Sequence, residues 1–583
     1  MPVWMFKWLN ESHMAKWSEK KMVEIPSDFS LKLHSLVTQL LLSRGLKTEE
    51  ELKKFIAPDY ETDSPDPFLF HDMEKVVQRI KTAQEKKETV AIFGDYDADG
   101  ITSSAILKET FDLLGIESFV YIPNKRTEGY SINSTAIEMF KEKNVSLVIT
   151  VDCGITSIAE IEKANSLGID VIITDHHHVP QLLPPAFAII NPHQENCGYS
   201  FADLAGVGVA FKVVQAIFQK LLPENLQMSK WMLDLVAIGT IADCVPLVGE
   251  NRLFVKYGLM VLSKTRRTGL LELFAVGRIM IDESAVPDTK KVSFYIAPRI
   301  NAAGRIDHAN LAYNLVVEKN VAKAREFALE LEASNTQRQK VTEKVVDEVK
   351  ILAENMFKDK KFIFAIGEHF PIGVVGLVAG KIVSKFNKPT AIFQKSEGES
   401  KGSFRSIPQI NIIETIGQCK ELLVRHGGHS QAAGVTVKNE NLEKFYEKMN
   451  MLISQKLEGI DLAEEIVVDG ELQSEDVDFD LVEDLEKLKP FGEGNTEPIF
   501  KMRNLVVKEK RIIGTGNKHI KLFLMPLSGS PKIFEAISFN GFDKFEHVIA
   551  GNHVDILCNV QKDEWNGNRK IQLTLIDLKV IKS

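Results

Sequence analysis

The sequence is poor in the features that mark several protein classes. Its five cysteines, Cys153, Cys197, Cys244, Cys419 and Cys558, lie far apart and are odd in number, which excludes a CxxC zinc ribbon and fits no disulfide framework. A reducing cytoplasm suits them best. No apolar run approaches the roughly 18 residues of a membrane span, the longest lying around Pro371 to Gly380. Met1 to Lys21 carries Trp4, Trp8 and Trp17 among charges, without an apolar core and a small-residue cleavage site. Neither a membrane contact nor a secretory leader is therefore expected. Positive charge is also short, with a net charge of −9, which at first argues against a nucleic-acid partner. The deficit is local: Glu458 to Pro490 holds 13 acidic residues against two lysines, leaving 69 basic and 67 acidic residues elsewhere. A basic groove is compatible with that near-neutral remainder.

At 583 residues the chain exceeds what one core can organise, and two to four domains are expected. From Thr89, apolar runs (TVAIF, SFVYI, SLVITV, IDVIIT, AFAII) alternate with helix-like stretches. Continuous apolar strands separated by helices imply βαβ crossovers and a parallel sheet covered on both faces. Residues 1–60 read as a helical N-terminal extension and 61–265 as the parallel-sheet domain. Residues 266–356 read as a helical connector, ending in Val321 to Met356 without glycine or proline. A smaller α/β domain spans 357–456, with KFIFAIG, PIGVVGLVAGKIV and a glycine/histidine turn at Arg425 to Gly434. Residues 457–583 comprise an acidic linker and a small β-barrel, whose short alternating runs include a hairpin signal at Asn566-Gly567.

The chemistry gathers at the strand ends. GDYDADG places Asp95, Asp97 and Asp99 just past the strand AIF, LVITV stops at Asp152, and VIIT stops at Asp175-His176-His177-His178. In an open parallel sheet, function collects at the carboxyl ends of the strands. Three carboxylates within five residues repel one another unless a cation neutralises them. A calcium loop does not fit, because its twelfth position falls on Ile106 instead of glutamate. Asp243 follows the apolar helix WMLDLVAIGTIA, where the helix dipole disfavours an acid and a metal would favour one. Oxygen ligands with one or two imidazoles and no thiolate point to Mn²⁺ or Mg²⁺. Carboxylates from Asp97, Asp99, Asp152 and Asp243 balance two divalent ions, the arrangement of two-metal phosphoryl transfer.

At these residues the sequence closely resembles the DHH phosphoesterase superfamily, and within it the RecJ-type exonucleases specific for single-stranded DNA. GDYDADGITS, VDCG, TDHH and GTIADCVPL resemble its first four motifs, and APRINAAGR, GGHSQAAG and KPFGEGNTEPIF resemble later signatures of the RecJ group. The resemblance runs from about Leu41 to the C-terminus. It implies that Asp97, Asp99, Asp152, His176 and Asp243 bind the metals, that His177 lies near the scissile phosphate, and that Asp175 orients a histidine ring. Asp95 is either a ligand or a support behind the ligands.

The resemblance further implies that the second α/β domain is a DHH-associated domain holding substrate. Gly428, His429 and Gln431 would be contacts, Ser403 and Arg405 a pair for the 5′-phosphate, and Arg299 and Arg305 contacts to the nucleic-acid backbone. Arg338 and Gln339 are weaker candidates, and either Lys125 or Arg126 takes the place of a family arginine. The barrel would be OB-like, with Phe539, Phe542 and Trp565 able to stack on bases or fill the core. The implied activity is 5′→3′ exonucleolytic release of mononucleotides from single-stranded DNA in repair and recombination. The implied enzyme is a monomer acting with a single-stranded-DNA-binding protein and a helicase. Two rival readings are a phosphodiesterase for short oligonucleotides or cyclic dinucleotides and a silent scaffold binding single strands. The first is opposed by Phe93, which stands where the small-substrate members usually carry histidine, and the second by the intact set of acids and histidines.

Overall fold

The computed structural model describes residues 15–581 except 125–126, 130, 282, 284–285, 307–308, 464, 515, 528–531 and 564–568. Two compact units emerge. One comprises Pro67–Asp243 and Gly258–Ala463; the other comprises the described residues within Met1–Asp66, Cys244–Tyr257 and Glu464–Ser583. Strands are numbered along the chain from β1 (Lys16–Glu19).

The first unit holds the expected parallel sheet, built from β2 (Thr89–Gly94), β3 (Ser118–Tyr121), β4 (Val145–Val151), β5 (Asp170–Thr174) and β6 (Ala188–Ile190) in the order β3-β2-β4-β5-β6. All its pairings are parallel. The apolar strands bury both faces, as a sheet covered by helices on each side requires. Ala91, Phe93, Val148, Val171 and Ile173 pack with Ile137, Phe140, Ile161 and Ala164 from the helices Ser134–Glu142 and Ile158–Ser166. The helices Ala98–Leu114, Gly206–Leu221 and Leu233–Ala242 pack together. The long helix Val321–Met356 is continuous over 36 residues, about 54 Å at 1.5 Å per residue. A second sheet follows, β7 (Ile363–Gly367), β8 (Thr390–Lys395), β9 (Glu399–Arg405), β10 (Leu423–Gly428) and β11 (Ala432–Lys438), ordered β10-β11-β9-β8-β7. Only β7 and β8 run parallel in it. The expected glycine/histidine turn is the tip of the antiparallel hairpin β10–β11.

In the other unit, β12 (Glu465–Val468) and β13 (Gly470–Glu471) precede β14 (Phe500–Ile513), β15 (His519–Pro526), β16 (Phe534–Ser538), β17 (His553–Asp563) and β18 (Lys570–Ile581). The last five close into a barrel, ordered β14-β15-β16-β18-β17 with β17 returning to β14. Strict alternation along β15 sends Ile520, Leu522 and Leu524 inward.

Two sequence expectations are corrected here. Residues 1–60 do not stand apart as a helical extension, because β1 pairs in parallel with β12 and Trp17 Nε1 donates to Asp577 at 2.7 Å. Val37, Leu40, Leu41 and Leu52 enter the barrel's own hydrophobic core. The acidic stretch is not a linker either: it folds into β12, β13 and the helix Phe479–Glu486, burying Leu481, Val482, Leu485 and Leu488 in that core. Its acids line the polar positions of an amphipathic pattern whose few apolar positions are masked by the charge around them. A third difference is that Cys244–Tyr257, expected with the parallel sheet, belongs to the barrel unit. Its Arg252, 2% exposed, donates to the carbonyls of Phe55, Lys487, Leu488, Lys489 and Pro490 at 2.8–3.4 Å. The KPFGEGN motif therefore has a structural role, reinforced by Asn495 Nδ2 donating to the Leu488 and Pro490 carbonyls.

Candidate metal centre

Three adjacent strands end in acids, and the backbone ladder carries on one residue past each end. Asp95 N donates to Val151 O at 3.4 Å, Asp152 N to Thr174 O at 3.0 Å and Asp175 N to Ile190 O at 3.1 Å. The carboxylates of Asp95, Asp152 and Asp175 thus stand in a row at the carboxyl edge of the sheet. Asp152 holds a left-handed backbone with φ of 59°, a conformation uncommon outside glycine that costs of order 1–3 kcal/mol and clusters at functional sites.

Asp97 and Asp99 belong to the turn into the helix Ala98–Leu114. Asp97 caps that helix, its Oδ1 accepting from Asp99 N at 2.9 Å and Gly100 N at 3.2 Å. Asp99 reaches the next helix, with Oδ2 accepting from Gly206 N at 2.7 Å and Oδ1 from Val207 N at 2.8 Å. Gly206 is required there: a Cβ would sit 2.7 Å from Asp152 Oδ1. Two helix N-termini therefore point at the cluster and help hold negative charge. Asp243 arrives at the end of Leu233–Ala242, its N–H closing on Gly239 O at 2.9 Å.

His176 Nε2 lies 3.2 Å from Asp152 Oδ1 and 3.6 Å from Asp243 Oδ2, without a hydrogen bond to either. Burial, aided by the neighbouring His177, pushes the His176 imidazolium down to about 4, so its ring is neutral and offers a lone pair. Burial and the Asp97 charge raise the Asp99 carboxyl to about 7, and burial with Asp99, Asp97 and Asp95 raises Asp243 to about 9. Asp152 is raised well above the usual carboxylate range, by burial and by Asp99. Acids and a neutral imidazole converging in this way would be relieved by a cation. Their donor atoms form triads within 4.8 Å, including two that share no member: Asp95, Asp97 and Asp152; and Asp99, His176 and Asp243. All-oxygen and oxygen–imidazole triads of that kind fit hard divalent ions such as Mn²⁺ or Mg²⁺.

Asp175 is occupied differently. Its carboxylate is 1% exposed and accepts from Ile155 N at 3.0 Å, His176 N at 2.8 Å and His177 N at 3.1 Å. It also meets His177 Nδ1 at 2.7 Å. Burial opposes its ionisation, but the His177 hydrogen bond and charge outweigh that and hold Asp175 below its ordinary value. For His177, burial is likewise outweighed by Asp175, and the imidazolium persists to higher pH. Phe93 is fully buried and stacked on Tyr121 with centroids 5.6 Å apart, so no side-chain donor comes from that position.

The second sheet's residues divide. His429, at the hairpin tip, approaches His178 with ring centroids 6.2 Å apart. Beside it, Gly428 ends β10 and Gln431 Nε2 donates to Ile407 O at 3.3 Å. Arg405 Nη1 donates to Ser403 Oγ at 3.2 Å and to Phe404 O at 2.8 Å. Burial and the charge of Arg305 lower the Arg405 guanidinium. Burial likewise lowers Arg305, against the pull of Asp97 and Tyr96. Arg338 is lowered by burial and by the Arg305 and Arg299 charges, so guanidiniums gather where an anion would relieve them. Arg299, expected as a contact to the nucleic-acid backbone, has protein partners here. Its Nε and Nη2 hold Glu332 at 2.5 and 3.1 Å, and its Nη1 donates to Tyr295 O at 2.7 Å. That fork clamps the helix Ala297–Ile306 to the long helix. Lys125, Arg126 and Trp565 lie outside the described residues. In the barrel, Phe539 is 63% exposed, whereas Phe542 packs on the core. Phe523, not singled out from sequence, lies beneath Arg511 and Lys521 at 4.7 and 5.6 Å.

The sequence matches the DHH family, N-terminal domain, over residues 89–240, the DHHA1 domain over 359–455, and the RecJ OB domain over 468–577. It is 37% identical over 552 residues to the single-stranded-DNA-specific exonuclease RecJ of Bacillus subtilis (strain 168), covering 94% of this chain and 68% of the relative. The protein of that name from Haemophilus influenzae is 32% identical, with 96% of this chain and 99% of the relative covered. Among solved structures, RecJ in complex with Mn²⁺ from Thermus thermophilus superposes with a TM-score of 0.81 at 26% identity, covering 98% of this chain and 80% of that one.

Proposed function

The chain belongs to the RecJ family of DHH phosphoesterases, and from that membership we propose a metal-dependent exonuclease that degrades single-stranded DNA from its 5′ end. The observation that carries the reading is the convergence of Asp95, Asp97, Asp99, Asp152, His176 and Asp243 into two triads at one sheet edge. These six side chains would hold two Mn²⁺ or Mg²⁺ ions, whose chemistry there would be the activation of a water and the neutralisation of phosphate charge. The protein's own groups do the rest. His177, kept protonated by Asp175, donates a hydrogen bond to a phosphoryl oxygen as charge builds in the transition state. Asp175 acts only through that ring. Ser403 and Arg405, with Arg305 nearby, grip the terminal 5′-phosphate, and Gly428, His429 and Gln431 guide the strand at the hairpin tip.

Hydrolysis breaks the bond between phosphorus and the 3′-oxygen of the terminal nucleotide. A 5′-mononucleotide leaves with a 3′-hydroxyl, and the shortened strand keeps a new 5′-phosphate for the same grip. Such an enzyme serves DNA repair and recombination in the cytoplasm, as a monomer on strands opened by a helicase and covered by a single-stranded-DNA-binding protein. Among the described residues no disulfide forms, in keeping with a reducing compartment, and no helix is long and apolar enough to cross a membrane.

The test uses a 3′-labelled single strand with either a 5′-phosphate or a 5′-hydroxyl, in Mn²⁺ or EDTA, with cyclic and linear dinucleotides as competitors. A metal-dependent ladder shortening from the 5′ end, faster on the phosphorylated strand, is expected. Intact long strands beside cleaved dinucleotides would instead establish the small-substrate phosphodiesterase.

A further inference from the structure

We propose that Asn301 is a positioning residue for the catalytic carboxylates. The first four N–H groups of a helix lack intrahelical partners, and at Ala98–Leu114 those of Ala98, Asp99 and Gly100 have substitutes. Asp99 N and Gly100 N donate to the Asp97 side chain, whereas Ile101 N already makes the first regular helical bond, to the Asp97 carbonyl at 2.9 Å. The remaining donor, Ala98 N, sits between Asp97 and Asp99, and Asn301 Oδ1 accepts from it at 2.8 Å across 203 positions of sequence.

The helix Ala297–Ile306 that carries Asn301 is seated tightly on this turn, since a Cβ on Gly304 would lie 2.9 Å from Tyr96 O. The residue after Gly304 is Arg305, which senses the Asp97 charge and donates through Nη1 to Gly373 O at 3.3 Å. Gly373 opens the helix Ile372–Phe386 of the second sheet's lobe. One short helix therefore touches both the turn bearing the carboxylates and the lobe bearing Ser403 and Arg405. Asparagine suits the post, because its short side chain supplies a fixed acceptor for the Ala98 amide. Without it, the turn loses the anchor between its two acids, and small displacements of reacting groups are costly in rate.

This proposal rests on the assignment of Asp97 and Asp99 to metal binding, and the experiment separates the two. Full-length metal-free protein is titrated with Mn²⁺ by calorimetry, peptide hydrogen exchange is followed around Ala98, and kcat and KM are measured on a single-stranded oligonucleotide. The panel comprises wild type, Asn301→Leu, Asn301→Asp and Asp97→Asn. Asn301→Leu keeps the volume and removes the acceptor. It should speed exchange at Ala98, weaken Mn²⁺ binding and lower kcat by about 10- to 100-fold, while KM stays within about twofold. Asn301→Asp restores the acceptor and should return Mn²⁺ binding and exchange to within about threefold of wild type. Asn301→Leu behaving as wild type in exchange and Mn²⁺ binding would overturn the proposal, as would equal losses in the leucine and aspartate variants. Mn²⁺ binding undiminished in Asp97→Asn would overturn the metal assignment beneath it.

Discussion

Replacing Asp243 by asparagine should stabilise the metal-free protein while disabling the enzyme. In the fold this carboxyl is raised from 3.8 to about 9. Because the folded value lies above the unfolded one, its favourable contribution is complete only below pH 3.8 and is lost as pH rises toward about 9. At 1.36 kcal/mol per unit, the nominal penalty at pH 8 is about 6 kcal/mol. A quarter of the side chain remains exposed, and the penalty is shared with Asp99 and Asp152, so about a third of it, ~2 kcal/mol, is the expected gain from Asp243→Asn. In EDTA at pH 8 that gain corresponds to a melting temperature higher by about 2–3 °C, shrinking as pH falls toward 5. In Mn²⁺ the order should reverse, because the variant has lost a ligand, and hydrolysis should fall at least about 100-fold. Calorimetric melts in both buffers at two pH values decide it. A variant that melts below wild type in EDTA at pH 8 would refute the reasoning, since the carboxylate would then be a structural group at ease among its neighbours.

Three further outcomes follow from the geometry. Asp175→Asn removes the charge that keeps His177 protonated, so the alkaline limb of the pH–rate profile should move to lower pH and kcat should drop by about 100-fold. Gly206→Ala would press a methyl group on Asp152 and should cost about 1–3 kcal/mol of stability together with a loss of Mn²⁺ affinity measurable by calorimetry. Arg252→Met would leave five carbonyls without their donor, and hydrogen exchange should rise across the barrel unit while the parallel-sheet unit keeps its protection, with a stability loss of at least about 3 kcal/mol.

Much of the site is legible in the sequence because strand ends announce themselves. An apolar run that stops at an acid fixes both the sheet edge and the side chain there, and this alone picks out Asp95, Asp152 and Asp175. The division of labour among them is less visible: Asp175 becomes a support only through the hydrogen bonds of Ile155, His176 and His177. Arg299 looks like Arg305 in the string APRINAAGR, yet Glu332 on another helix captures it, and no local pattern reports such a partner. Asn301 goes unmarked in the same string because its role is a contact with a distant backbone amide. The N-terminal segment and the acidic stretch are hard to read for a common reason. Each carries only a few apolar residues, and these become a core only when Val37 and Leu40 meet Leu481 and Leu485.

That shared core sets a timetable for biogenesis. The sheet-bearing unit is complete once Ala463 has been made, so it can close while the ribosome is still at work. Val37, Leu40, Leu41 and Leu52 are translated early, but their partners in β14 to β18 come some 450 or more residues later. Contacts so distant in sequence form slowly, and until then these apolar side chains are exposed on the nascent chain, a stretch that chaperones would be expected to shield. By the same logic, a fragment cut to residues 468–577, the extent of the barrel match, would emerge with part of its interior missing. Expressing that barrel for study calls for the early helices to be supplied with it, on the same polypeptide or as a second one.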